Sequence, residues 1–296
     1  MPGTPSTPST PGTGTPNRLA AEAGAGTIRL GDLTISYVPD GAVELKPRVW
    51  FPGTTGAFWA ARTEYLNTAG NLVASIGGLL VEHGDRALLI DAGVGPLAWP
   101  DAPDRPIGAL HGGALPASLA ALGRDPEAIE AVAITHLHVD HIGWLAPATG
   151  APTPLAGAEV LVSASEWEHR ALSGTDPAAL EGFAARVRTT ADGEEVFPGV
   201  RVRTTAGHTA GHTVYEIASG GRRLLAFGDA LHSPVQVDHP EISAVADHDP
   251  ELSADVRRSL VAELADPDTI GFGVHFADVQ FGRAVPGTPG WLPEPR

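Results

Sequence analysis

The sequence predicts a mixed α/β chain. Three observations carry that reading: paired runs of aliphatic and β-branched residues joined by Gly-containing turns, apolar stripes at helical spacing between the strands, and a short buried strand running straight into His136-Leu137-His138-Val139-Asp140-His141. From Thr27, the runs TIRL and LTISYV flank Gly31 and Asp32 and predict an opening hairpin. VASIGGLLVEH and RALLI predict a second one, turning at His83, Gly84 and Asp85 and ending in Ala87 to Ile90 before Asp91. Leu115, Leu119 and Leu122 form one stripe of a helix that Gly123 stops. The buried strand is Ala131 to Thr135. Beyond the histidine-rich segment, AEVLVS predicts a strand, SEWEHRAL a helix, and GVRVRTT, TVYEIAS and RLLAF three more strands. Asp249 is placed to cap a helix with Pro250 at its first position, along which Leu252, Val256, Leu260 and Leu264 recur every four residues.

At 296 residues with 43% hydrophobic content, the chain can bury one substantial core or two small ones. Lys and Arg number 19 against 35 Asp and Glu, a net charge of −16 that repels phosphate backbones and anionic lipid headgroups. Neither nucleic acid nor a membrane is therefore expected as a partner. Residues 1–16 hold only Pro, Thr, Gly, Ser and the starting Met, and predict a disordered tail, drawn here as 1–25, ahead of one domain over 26–296. The tail lacks the basic and apolar regions of a secretory signal. No later run approaches the ~18 apolar residues of a membrane span, so a cytoplasmic location is expected. Strict βαβ alternation is missing from the first third, and neither GxGxxG nor GxxxxGK[ST] occurs, which argues against a nucleotide-binding sheet. With no Cys, a transition-metal site has to use imidazole and carboxylate, and there are 12 His to supply it.

His136 and His138 lie two residues apart, so on an extended segment both imidazoles point toward one ion. Asp140 and His141 follow as the chain turns, and can face a second ion. Ligand-type residues recur downstream in TAGHTAGH with His208 and His212, in FGDALH with Asp229 and His232, and in GVHF with His275. On these residues the chain resembles the metallo-β-lactamase-fold metallohydrolase superfamily, whose HxHxDH motif stands here as HLHVDH; the resemblance runs from residue 27 onward. HIGW and GDALHSPVQVDHPE resemble a bacterial branch of small-molecule hydrolases near the lactonases and methyl parathion hydrolases.

That resemblance implies a four-layer αβ/βα sandwich, two mixed β-sheets flanked by helices. It also implies two divalent metal ions, one on His136, His138 and His208, the other on Asp140, His141 and His275, with Asp229 bridging. Zinc suits this nitrogen and oxygen set, and iron, manganese or cobalt fit it too. Asp91 in LLIDAGVG is placed to steady the metal-binding loop without ligating, and His212 to support the site rather than to ligate. The implied reaction is hydrolysis of a small-molecule lactone or ester by a metal-bridging hydroxide, with Asp140 or Asp229 passing a proton to the leaving alkoxide. Lactone-cleaving relatives carry a tyrosine three residues after the bridging aspartate. This chain has His232 there, either an oxyanion donor or a packing residue. Trp144, Phe272 and His232 are the candidate substrate contacts; Trp144 either walls an apolar pocket or sits in the core, and Trp167 reads as packing. A thioesterase or phosphotriesterase on the same site is the alternative. Asp229 disfavours a β-lactamase, the intact second-metal set disfavours a persulfide dioxygenase, and the full ligand set disfavours a non-catalytic metal-binding protein. A small-molecule partner is expected, and a homodimer is left open.

Overall fold

The computed structural model describes residues 17–147, 150, 152–287 and 289–294. The disordered tail expected over 1–16 lies outside the described residues. Its boundary at residue 25 is corrected, because residues 17–25 are tied to the body of the protein. Arg18 donates from Nε to Asp278 Oδ2 at 3.1 Å, and the backbone N–H of buried Ala23 donates to Ser75 Oγ at 3.0 Å. A short segment whose polar groups are satisfied this way is part of the fold.

Among the described residues, nine strands form one sheet and seven the other. Both expected hairpins are present: Gly26–Leu30 pairs antiparallel with Leu33–Leu45, and Leu72–His83 with Arg86–Ile90. The first sheet then turns parallel, running from Arg86–Ile90 through Ala131–Ala133 and Glu159–Ser163 to Val187–Thr190. In the second sheet, Val200–Thr204, Thr213–Ser219 and Arg222–Ala226 form an antiparallel meander, and Thr269–Phe272 joins it parallel to Arg222–Ala226. Apolar side chains from both sheets meet in one core that includes Leu79, Leu88, Ile90, Val202, Ile217 and Leu224. Helix Leu115–Ala121 covers the outer face of the first sheet through Leu115 and Leu119, and helix Pro250–Leu264 covers the second through Leu260 and Leu264. Helices outside two facing sheets make the expected four-layer sandwich.

Asp249 caps the long helix by accepting from Leu252 N at 3.0 Å, as its sequence position predicts. The predicted stripe is only half correct, since Leu252 is 42% exposed while Arg257 is fully buried in the helix's inner face. A four-residue repeat drifts around a 3.6-residue helix, so its first member has rotated into solvent. No helix among the described residues is long and apolar enough to cross a membrane.

The fold positions the site by ending strands along one edge. Arg86–Ile90 leads into Asp91, Ala131–Ala133 into His136, Arg222–Ala226 into Asp229, and Thr269–Phe272 into His275. His212 immediately precedes Thr213–Ser219 on the same edge.

Candidate metal centre

After Ala133 the chain bends at Thr135 and again at His138, whose φ of −74° and ψ of 155° make it the N-cap of the short helix Val139–Ile142. That geometry brings His136 Nε2 within 2.9 Å of His138 Nδ1, and His208 Nε2 lies 3.1 Å from the same atom. Asp229 Oδ2 completes the group at 3.7 Å from His136 Nε2 and 3.4 Å from His208 Nε2. A second group forms on the other oxygen of the same carboxylate. Asp229 Oδ1 lies 3.1 Å from both His141 Nε2 and His275 Nε2, and Asp140 Oδ2 is 3.5 Å from His275 Nε2. All seven residues expected at the metals are thus brought together in two clusters.

Four of the imidazoles are held by their outward nitrogens. His141 Nδ1 donates to Asp91 Oδ2 at 2.8 Å, His208 Nδ1 to Asp247 Oδ1 at 2.9 Å, and His275 Nδ1 to the Ser75 carbonyl at 2.8 Å. Thr135 Oγ1 donates to Asp91 Oδ2 at 2.9 Å, which leaves its lone pair to accept from His136 Nδ1 at 3.1 Å. Protons placed outward leave the Nε2 lone pairs facing one another across the site. His141 Nε2 and Asp229 Oδ1 are buried with no hydrogen-bond partner, a costly arrangement unless a cation takes them up. The donor set fits a pair of divalent ions.

Asp91 does not join either cluster. Its φ is 62°, a left-handed conformation rare for a residue with a side chain, and the carboxylate is locked by Thr135 N at 2.8 Å as well as by Thr135 Oγ1 and His141. His212 is also outside the clusters: its Nε2 accepts from the Asp229 backbone N–H at 3.1 Å, so its Nδ1 carries the proton that bonds Thr205 Oγ1 at 3.0 Å. Gly228 makes this approach possible, since a Cβ there would stand 2.9 Å from His212 Nε2 at a φ of +48°.

Burial and neighbouring charge set the electrostatics. Burial would raise the Asp229 carboxyl, but the imidazoles of His275, His141 and His136 outweigh it and hold it well below the usual range. Burial pulls His136 down, and takes His212 down to about 3. His141 and His275 are also pulled down by burial, yet Asp229 reverses the sign and leaves both raised. Without metal, the charged Asp229 carboxylate thus favours protons on His141 and His275, and a cation binding there displaces those protons and takes their place beside the carboxylate.

A cavity of about 870 Å³ opens onto this centre, with His138, Asp140, Asp229, His232 and His275 at its floor. One wall comes from Val43, Leu45, Leu97, Ile107 and Leu110, the other from Ile142, Leu145, Ala146, Ala178, Ala179 and Gly182. Its aromatic rings are Trp50 and Trp99. His232 faces this space, stacked on His275 at 6.0 Å and edge-on to Trp50 at 5.4 Å, with Nε2 3.2 Å from Asp229 Oδ2 and Nδ1 without a hydrogen-bond partner.

Two expected substrate contacts are corrected. Trp144 is absent from the cavity lining; its ring is in the core beneath the first sheet and its Nε1 donates to Asp40 Oδ1 at 2.8 Å. Phe272 lies in the core between the sheets, 6.0 Å from the Tyr37 ring. Trp167 packs against Phe183, as expected. Sequence reasoning missed Trp50, Asp40, Asp247 and Glu166. Glu166 is buried and accepts from Leu137 N at 2.9 Å, Thr209 Oγ1 at 2.7 Å and Gly211 N at 3.0 Å, so it ties the His136–His141 loop to the His208 loop. Its only sequence signal is a carboxylate inside an otherwise ordinary helix.

A two-sheet sandwich with a His/Asp cluster for two metals at its strand ends defines the class of protein. The chain belongs to the metallo-beta-lactamase superfamily, whose family model matches residues 79–274. No curated protein matches it. Among solved structures it is similar to AidC, a dizinc quorum-quenching lactonase in complex with the product N-hexanoyl-L-homoserine, at 22% identity and a TM-score of 0.78, covering 94% of this chain and 99% of AidC. The hydrolase AbOPH of the beta lactamase superfamily is similar at 26% identity and a TM-score of 0.77, over 93% of this chain and 98% of its own. A quorum-quenching N-acyl homoserine lactone hydrolase is similar at 17% identity and a TM-score of 0.60, over 90% of this chain and all of the other.

Proposed function

We propose that the chain is a metal-dependent hydrolase of small-molecule lactones or esters that carry an aliphatic acyl chain. The observation that carries this reading is the aliphatic cavity opening directly on Asp140, Asp229, His232 and His275. An apolar tail gains ~0.8 kcal/mol per buried methylene in such a space, whereas an aryl phosphotriester would gain more from an aromatic cup. The solved lactonases to which the chain is similar support the same choice.

In this reading His136, His138, His208 and Asp229 hold one ion, and Asp140, His141, His275 and Asp229 the other. Two bound divalent ions would lower the pKa of a shared water and polarise the substrate carbonyl. Zinc is the proposed metal, supported by the nitrogen and oxygen donors and by the dizinc site of AidC. His232 supplies an N–H toward the oxygen that gains charge as the acyl carbon becomes tetrahedral. Asp140, with a fifth of its side chain exposed at the cavity floor, takes the proton of the attacking water and returns it to the leaving alkoxide. The products are a carboxylate and an alcohol, which for a lactone are one molecule. A cytoplasmic site of action belongs to the same proposal.

The test is a panel of acyl-homoserine lactones, aliphatic and aryl esters, acyl thioesters and paraoxon-like triesters with the zinc-loaded protein. Lactones or aliphatic esters should give the highest kcat/KM. Turnover confined to thioesters or to triesters would replace this reading by the thioesterase or phosphotriesterase alternative.

A further inference from the structure

We infer that the metal position formed by His136, His138 and His208 has its own polar passage to solvent, separate from the acyl cavity, through which hydrated divalent cations reach it. This rests on the reading that those residues hold metal. A second cavity of about 220 Å³ adjoins the imidazoles of His138 and His208. Its polar lining comes from His169, Ser173, Thr209 and His248, with Leu172 and Val245 exposed beside them, in contrast to the aliphatic walls of the larger space. The two cavities share His138, Ser173 and Ala246, so they meet at the metal position.

Size and solvation both favour a cation here. Six waters at ~30 Å³ each occupy roughly 180 Å³, so the smaller cavity has room for a hydrated ion. Polar groups along the smaller cavity can replace waters the ion sheds as it nears the imidazoles, whereas aliphatic walls offer no such groups. His169 and His248 are exposed where this cavity meets solvent. The Nδ1 of His169 donates to the Ser165 carbonyl at 2.9 Å, which leaves Nε2 with a lone pair for an arriving cation. Metal uptake and exchange then proceed while an acyl chain fills the larger cavity.

The experiment follows Zn²⁺ uptake by the metal-stripped protein, using native mass spectrometry to count ions against time. Ala210→Phe, on the wall of the small cavity alone, should slow uptake at least tenfold, while final zinc content and the kcat of the loaded protein stay within twofold of the parent. Ala179→Phe, on the wall of the acyl cavity alone, should leave the uptake rate unchanged and impair turnover of long-chain substrates. Uptake at the parental rate in Ala210→Phe, or slowed uptake in Ala179→Phe, overturns the passage. If Ala210→Phe does not fold, the His169→Ala/His248→Ala double variant replaces it: uptake slowed at least threefold supports the passage, and an unchanged rate overturns it. Failure of the substrate panel with the uptake results intact would reject the hydrolase reading and leave the passage standing.

Discussion

His208 donates from Nδ1 to Asp247 Oδ1 at 2.9 Å, so a carboxylate 39 residues away in sequence fixes the tautomer and tilt of one imidazole in the centre. The other oxygen, Oδ2, accepts from Arg257 at 3.2 Å and from Ala244 N at 3.0 Å, and both side chains of the Arg257–Asp247 pair are fully buried. Burial would raise the Asp247 carboxyl, but His208, His232 and Arg257 together hold it down.

Asp247→Asn should therefore weaken zinc binding by about 10–100-fold, the usual effect of removing a carboxylate behind a ligand histidine. Competition with a chromophoric chelator measures it. Arg257→Met should instead destabilise the fold by roughly 3–5 kcal/mol, because it strands a buried carboxylate without its cation. A lower urea midpoint with an unchanged m-value is the expected signature.

Asp40 predicts a second stability effect. Its two oxygens accept from Val94 N at 2.8 Å, Gly95 N at 3.0 Å, Gly113 N at 3.1 Å, Leu115 N at 2.9 Å and Trp144 Nε1 at 2.8 Å. One buried carboxylate thus holds three loops around the cavity. Asp40→Asn turns an amide NH₂ toward donors and should cost about 2–4 kcal/mol, since each unmet buried donor carries a desolvation penalty of ~1–3 kcal/mol. Thermal unfolding at fixed zinc concentration checks it, and a change under 1 kcal/mol would contradict the bonding described.

Of the residues gathered in the two clusters, those of HLHVDH were legible because their chemistry is dense in sequence. His136 to His141 packs four ligand-type residues into six positions, whereas His208, Asp229 and His275 are scattered along the chain and were placed only through the resemblance of TAGHTAGH, FGDALH and GVHF to the family's motifs. Asp40, Glu166 and Asp247 were not legible, because each is an isolated carboxylate whose donors come from distant segments. Trp144 and Phe272 were misplaced for another reason. A single aromatic near a site carries no periodicity to say which face it presents, and Phe272 ends a strand that is buried on both faces. The hairpins were readable from alternation and turns, whereas the buried Arg257 interrupted the expected stripe of the last helix because its partner lies outside that helix.

His212 gives the metal-stripped protein a pH dependence. Its folded-state pKa is about 3 against an ordinary 6.5, because burial disfavours the cation. Between those values the unfolded chain binds the extra proton and the folded one does not. The contribution is therefore complete above about pH 6.5 and is lost as pH falls toward 3, at ~1.4 kcal/mol per pH unit. His212→Gln should reduce the pH 6 to 4 slope of unfolding free energy by about one proton. An unchanged slope would mean that His212 is already protonated when folded.

His232 separates chemistry from metal binding. His232→Phe keeps a ring against Trp50 and His275 but removes both nitrogens, so zinc content and folding should hold while kcat falls by roughly 10²–10³, the usual cost of losing an oxyanion donor. KM should change by no more than a few fold, because the donor acts on charge that develops in the transition state. A parental kcat in this variant would assign His232 to packing.

The acyl cavity makes a graded prediction. If aliphatic walls bind the tail, each added methylene contributes ~0.8 kcal/mol, so kcat/KM should rise about fourfold per carbon along a series of straight-chain acyl lactones and then level off when the cavity is full. Ala179→Phe should move that plateau to shorter chains, since it narrows the wall contributed by Pro177–Ala184. Leu110→Asn, on the facing wall, should flatten the rise without moving the plateau, because it makes the wall polar at nearly the same side-chain size. A series flat from the shortest chain onward would place the tail outside the cavity, and with it the substrate class drawn from that cavity would fall.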